Sequence, residues 1–222
     1  MGDIRKIVLD ERLQTVADLF PVVESAADIG ADHGRLTCYL LESGKCRHMI
    51  VSDISAASLE KARHLLTKHG LETKATFVVA DGFEALNRPV SIAAICGMGG
   101  RTIAAMLEGT SHALTGHPDL ILSAHTELPR LRTALMNSCY TIEREYIVVS
   151  VGRFYHVLHA CYGQDIYTDK QIRMGVALES KAPGDLVQYY RWELRLQEKK
   201  RPRDEKMINW LKEEIDACGS FA

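Results

Sequence analysis

Apolar positions along this chain keep two different periods, and the switches between them mark its elements. Ala26–Gly30, Met49–Asp53, Thr76–Ala80, Val90–Cys96 and Asp119–Ala124 are short apolar runs of strand length. Unbroken runs of this kind suit strands covered on both faces, as in a parallel sheet. Between them, apolar residues recur every three or four positions, the helical spacing. Leu13, Val16, Ala17, Leu19 and Phe20 form such a face over Asp10–Phe20, which Pro21 ends. Leu36–Ser43 closes on Gly44. The next helix starts from a Ser55 or Ser58 cap and runs to about Lys68, before Gly70. Helices over Thr102–Glu108 and Glu127–Ser138 follow, and then two β-rich runs, Thr141–Ser150 and Arg153–Tyr162. The Val151-Gly152 turn between those runs predicts an antiparallel hairpin. The expected fold is therefore α/β: a mostly parallel, doubly wound sheet ending in one antiparallel strand.

The pattern changes after Gly163. From Lys170 to Lys212 there are eleven Lys/Arg against six Asp/Glu. Two helical stretches, Gly184–Lys200 and Arg203–Ala217, flank Pro202. Leu186, Val187, Tyr190 and Leu194 line one, and Met207, Ile208, Leu211 and Ile215 line the other. Two such stripes across a short link predict an antiparallel helical hairpin. The chain thus divides into residues 1–163 and a helical part, 164–222.

Composition narrows the function classes. With 222 residues and 46% hydrophobic content, the chain can bury one full core with residues to spare. A net charge of −2 supplies no general basic field, so any nucleic-acid contact must come from local clustering. The longest stretch without a charged residue, Pro89–Gly100, is 12 residues, whereas a membrane span needs about 18. The start, Met1-Gly-Asp-Ile-Arg-Lys6, lacks the apolar region of a signal peptide. Six scattered cysteines without a C-x-x-C pair point to a reduced, cytoplasmic protein. Nine histidines without an H-E-x-x-H spacing give no reason to expect a metal.

The densest chemistry lies at the end of the first strand, in Asp28-x-Gly30-x-Asp32-x-Gly34. A strand, a tight turn and a helix start form the geometry that nucleotide cofactors use. Pyrophosphate sites keep such turns free of acids; here Asp28 and Asp32 repel phosphate and suit a ligand with a cationic centre and an amino-acid end. S-adenosylmethionine fits that description. Asp28, Gly30, Asp32 and His33 are the candidate groups for its methionine end and sulfonium. Asp53, with Ile54 beside it, is placed for the ribose hydroxyls, and Asp81-Gly82 for the adenine amino group. Gly97–Gly100 offers a floor where a methyl acceptor meets the cofactor. Each element also has a plain structural role, as turn cap, strand-end acid or bend. Their order along successive strand ends carries the reading.

These residues resemble a known family. Val16-Ala-Asp-Leu-Phe-Pro21, Asp28-Ile-Gly-Ala-Asp-His33, Asp81-Gly82, Gly97-Met-Gly-Gly100 and Leu131-Arg132 are similar to the bacterial tRNA (adenine-22-N1)-methyltransferases. The likeness covers about residues 1–162 and continues into the helical tail. It implies a Rossmann-like catalytic domain binding S-adenosylmethionine, a coiled-coil-like tail that helps hold tRNA, and N1-methyladenosine as product. The chain departs from the family pattern at Ser123-Ala-His125, at Val151-Gly-Arg-Phe-Tyr155, and in carrying Asp53 where Glu is frequent. Under this reading Gly97, Met98, Gly99, His125 and Tyr155 shape the adenine site, and Asp32 or His33 assists with charge. Tyr155 is a candidate either for stacking on the base or for core packing. Arg191, Arg195, Lys199, Lys200, Arg201 and Arg203 would meet tRNA phosphates, or would form a solvated helix face with Glu193, Glu198 and Glu205. The alternatives are a nicotinamide-dependent Rossmann oxidoreductase and a non-catalytic RNA-binding protein that keeps the fold. Neither metal nor membrane enters these readings, and the oligomeric state stays open between monomer and dimer.

Overall fold

Strand β1 (Val23–Ile29) runs through the middle of an eight-stranded sheet, and its neighbours explain its apolar run. The structure is a computed structural model describing residues 6–109, 116–182 and 184–219, so the outermost residues of both expected domains lie outside it. The other strands are β2 (Cys46–Asp53), β3 (Ala75–Val79), β4 (Ile92–Cys96), β5 (Asp119–Ala124), β6 (Tyr140–Ser150), β7 (Arg153–Tyr162) and β8 (Leu178–Ser180). Their order is β3-β2-β1-β4-β5-β7-β6-β8. The first five are parallel, β7 runs antiparallel to both of its neighbours, and β8 is parallel to β6.

Helices cover both faces: α1 (Glu11–Leu19), α2 (Arg35–Glu42), α3 (Ala56–Lys68), α4 (Gly100–Gly109) and α5 (Leu128–Asn137). Successive strand residues point to opposite faces. Ala26 therefore joins a core with Val16, Leu40, Met49 and Leu66, while Ala27 joins one with Ile95, Ile103, Leu122 and Leu131. Ser55 caps α3, its hydroxyl accepting from Ser58 N at 3.2 Å, as the sequence pattern requires.

Beyond β7 come α6 (Asp169–Met174), β8, α7 (Asp185–Lys199) and α8 (Glu205–Gly219). The last two pack as the expected hairpin, burying Tyr190, Met207 and Leu211 with Met174. Sequence patterning does not foresee α6 or β8. Strand β8 also carries the sheet past Gly163, so the expected boundary at 163 separates the helical hairpin from the sheet less cleanly than anticipated.

A buried charge cluster ties these late elements to the sheet. Arg132 on α5 and Glu145 on β6 are both 0% exposed. Arg132 Nη2 and Nε donate to the two Glu145 oxygens at 2.5 and 3.1 Å, and Nη1 donates to the Ile172 carbonyl at 2.8 Å. Val176 N donates to the same carboxylate at 3.0 Å, and His156 Nδ1 lies 2.7 Å from it. His156 Nε2 meets the Tyr189 hydroxyl of α7 at 3.1 Å. Burial alone would push the Glu145 carboxyl up, but the Arg132 charge and the His156 contact outweigh it and hold it at about 2. Burial lowers the His156 pKa, so the imidazole is neutral, with its proton assigned to Nδ1 facing Glu145 and the tyrosine hydroxyl donating to Nε2.

Arg132→Met strands a buried carboxylate and is expected to cost about 3–5 kcal/mol in urea unfolding. In the wild type the Glu145 contribution is complete above its ordinary value of 4.5 and is lost as pH falls towards about 2. The variant's deficit should therefore shrink over that acid interval.

Candidate active site at the carboxyl edge of the sheet

The chain leaves β1 through a turn that only bare backbone permits. Gly30 and Ala31 N–H groups donate to the Ser52 carbonyl at 2.8 and 2.9 Å, folding the turn over the end of β2. Gly30 (φ 70°), Asp32 (φ 47°) and Gly34 (φ 66°) are left-handed, and α2 begins directly afterwards. A Cβ on Gly30 would lie 2.1 Å from the Met98 methyl, so glycine here admits that side chain across the turn. Asp53 reaches in from β2: its Oδ2 accepts from Asp32 N at 3.1 Å and its Oδ1 from Ser55 N at 2.9 Å. Two backbone amides thus fix this carboxylate while each oxygen keeps a free lone pair. His33 Nδ1 lies 2.5 Å from the Asp32 carboxylate, and both side chains are exposed.

Asp28 has a different job. It is 2% exposed, and its Oδ2 accepts from Thr37 Oγ1 at 2.7 Å, inside the first turn of α2. Its carboxylate ties the turn to the helix, and the residue also lines the cavity described below. Burial pushes its pKa up to about 6, against the opposing hydrogen bonds from Thr37.

The loop after β4 meets the turn after β5 backbone to backbone. Gly100 N donates to the Thr126 carbonyl at 2.9 Å, and a Cβ on Gly100 would stand 2.5 Å from that oxygen and 2.7 Å from the Glu127 carbonyl. Glycine is therefore needed there for loop contact, whereas the open side of Gly97 (φ 78°) meets nothing within 4 Å. Met98 packs over Gly30 and against the core rather than forming a floor. His125 and Tyr155 come together as expected, with ring centroids 5.4 Å apart and edge to face. Arg12, from α1, sets its guanidinium 5.3 Å from the Tyr155 ring centre.

A cavity of about 220 Å³ gathers Asp28, Gly30, Asp32, His33 and Gly97 with Asp10, Arg12, Leu13, Arg35 and Cys96. Asp53 joins it through its bond to Asp32. Asp81 and Gly82 instead line a separate cavity of about 300 Å³ with Thr102 and Met106, and Ile54 is 72% exposed. The α1 wall was missed by sequence reasoning. One signal was available: Arg12 is the second residue of a helix, where a cation opposes the helix dipole.

Arg191, Arg195, Lys199, Lys200, Arg201 and Arg203 are all exposed, and among the described residues none forms an ion pair. Arg191, Arg195 and Lys199 follow one another at every fourth position, a stripe along one face of α7. Lys200 lies where that stripe reaches a cleft of about 490 Å³, which also includes His125, Glu127 and Tyr189. Among the described residues, two groups of metal-capable side chains, Cys38/Glu42/His69 and Asp119/His159/Cys161, sit away from this edge. Burial pushes both thiols, Cys38 and Cys161, up to about 12, which keeps them protonated.

Fold and cleft together define a Rossmann-like methyltransferase, and a family model described as a methyltransferase domain matches residues 9–158. The tRNA (adenine(22)-N(1))-methyltransferase of Bacillus subtilis is 34% identical over 158 residues, which is 71% of this chain and 66%, just under two thirds, of that protein. A putative tRNA methyltransferase of Mycoplasma pneumoniae is 31% identical over 191 residues, covering 82% of this chain and 87% of that one. The crystal structure of a putative tRNA (m1A22) methyltransferase from Streptococcus pneumoniae, in complex with S-adenosyl-L-methionine, superimposes with a TM-score of 0.83 at 27% identity, covering 94% of this chain and 100% of that one. The chain belongs to the bacterial tRNA (adenine-22-N1)-methyltransferase family.

The Asp28 environment yields a signed prediction. Because its folded pKa is raised above the ordinary 3.8, wild-type stability declines as pH rises towards about 6 and stays lower above it. Asp28→Asn should therefore gain about 2–3 kcal/mol relative to wild type between pH 4 and 7. Thermal melts at the two ends of that range measure it.

Proposed function

We propose that this protein is an S-adenosylmethionine-dependent methyltransferase that forms N1-methyladenosine at position 22 of tRNA. The observation that carries the reading is the lining of the 220 Å³ cavity, which brings Asp32 and Arg12 together with the bare backbone of Gly30 and Gly97. A pyrophosphate needs unobstructed amides, whereas this turn presents acids. The nicotinamide alternative is therefore disfavoured.

The residues present fit the cofactor. The free lone pairs of Asp53 suit a ribose diol, Asp81 suits an adenine amino group, and Arg12 Nη1 is buried without a hydrogen-bond partner. When bound, S-adenosylmethionine supplies a methyl group on a cationic sulfur.

This chain's own residues do the positioning. Adenine N1 attacks with an in-plane lone pair and needs little proton transfer, so alignment and water exclusion provide most of the rate. The base must leave its stack to enter. The Gly97–Gly99 backbone and the His125–Tyr155 pair form the wall that receives it, and Asp32 with His33 supplies charge near the cationic product. The catalytic work belongs to residues 1–163, and the hairpin within 164–222 grips phosphates through the α7 stripe and the Lys200–Arg203 link. A tRNA substrate puts the protein in the cytoplasm.

Nucleoside analysis of unmodified tRNA after incubation with labelled cofactor should show N1-methyladenosine, lost when adenine 22 is replaced by guanine. Binding without transfer would instead favour the non-catalytic RNA-binding reading. Reversing charge at Arg195, Lys199 and Arg203 together should weaken tRNA binding about tenfold or more at low salt and flatten its salt dependence. Filter binding over a salt series, with cofactor affinity as the control, measures that change.

A further inference from the structure

The end of β5 remote from His125 gathers three side chains that the cleft does not use. Asp119 opens that strand, and β7 pairs with it so that Leu120 lies opposite Ala160 and Ile121 opposite His159. His159 and Cys161, two residues apart, share one face of β7, and it is the face that Asp119 occupies on β5. The ligand atoms of the carboxylate, imidazole and thiol all lie within 4.8 Å of one another. His117 stacks on Tyr162 with ring centroids 3.8 Å apart, and the Tyr140 hydroxyl donates to the Pro118 carbonyl at 3.1 Å. Those contacts fix the chain on both flanks of the three groups.

The spacing within the group discriminates between its possible roles. Asp119 Oδ2 stands 3.3 Å from His159 Nε2, and Cys161 Sγ stands 3.6 Å from the same nitrogen. One ring nitrogen offers one proton or one lone pair, so it cannot bond both partners well. The 3.3 Å separation is also long for a nitrogen–oxygen hydrogen bond. Around a tetrahedral zinc, bonds of about 2.0–2.3 Å set oxygen and nitrogen about 3.3 Å apart, and nitrogen and sulfur about 3.6 Å apart. A Cys–His–Asp relay of the hydrolase kind does not fit, because there the acid holds the other ring nitrogen. Among the described residues the other metal-capable group differs: Glu42 and His69 close to 2.7 Å, an ordinary hydrogen bond, and the second Glu42 oxygen takes the Ile7 amide.

We propose that Asp119, His159 and Cys161 bind one zinc ion, with water as the fourth ligand, and that the ion clamps the start of β5 to the end of β7. Thiolate and imidazole select zinc over calcium or magnesium. The Asp119 side chain is 40% exposed, which leaves the fourth position open to solvent. Burial, and then the Asp119 and Glu143 charges, push the Cys161 thiol up to about 12. An entering cation relieves that negative field, and the thiol proton leaves to solvent. The inference is independent of the methyltransferase reading.

Zinc competition against a chelating dye should give one site per chain, tighter than about 1 µM. Cobalt(II) in its place should show a sulfur-to-cobalt charge-transfer band beside the visible bands of a tetrahedral ion. Cys161→Ser should abolish the charge-transfer band. His159→Ala and Asp119→Asn should each weaken zinc by about tenfold or more, whereas Cys38→Ala should leave its affinity unchanged. Saturating zinc should raise the melting temperature of wild type by about 5–10 °C, and that of His159→Ala far less. Far-ultraviolet circular dichroism matching wild type keeps loss of fold from passing for loss of a ligand. Wild-type affinity weaker than about 1 µM overturns the proposal. So does a wild-type cobalt complex without the charge-transfer band, or a band that survives Cys161→Ser or vanishes with Cys38→Ala.

Discussion

One carboxylate organises the far half of this molecule. Glu145 receives two nitrogens of Arg132, a histidine and a backbone amide, each from a different segment of the chain. Without these partners a charge so deeply buried would be untenable. With them, α5, β7 and the approach to β8 are held in one arrangement, and Tyr189 extends it to α7. His156 adjoins Tyr155 in sequence on β7 and itself meets Tyr189. The placement of the helical hairpin and the placement of the strand that carries Tyr155 therefore depend on the same ion cluster.

The other half of the site is arranged by backbone. Two strand ends meet where the Gly30 and Ala31 amides donate to the Ser52 carbonyl, and two more meet where Gly100 lies against the Thr126 carbonyl. These contacts define the cleft before any side chain is chosen for chemistry. Side chains then tune it, with acids around the first turn, a half-buried cation from α1 and an aromatic pair that this cation touches at Tyr155.

Much of this was legible in the chain, for physical reasons. Strands buried on both faces leave unbroken apolar runs, a helix cap leaves a serine, and the Val151-Gly152 turn announces the hairpin. The charge of the glycine–acid turn is legible too, and it argues for a cationic ligand over a pyrophosphate. What escaped lies below those signals. Helix α6 and strand β8 span six and three residues, too few to show a period. The bond between the Asp28 carboxylate and Thr37, nine residues on, leaves no mark in the sequence. Arg132 sits in an amphipathic segment where an arginine ordinarily faces water, and only the three-dimensional meeting with Glu145 explains its burial. Asp81 falls just past the expected strand end, where it lines a cavity with Gly82, Thr102 and Met106.

The short strand β8 has one more effect. A hairpin ending in β6 would leave eleven residues of free edge, an invitation for another chain to add a strand. Three residues, Leu178–Ser180, cover part of that margin and present Glu179 and then Lys181 beyond it. The opposite margin, β3, is only five residues long. A sheet trimmed in this way offers little template for sheet-to-sheet annealing.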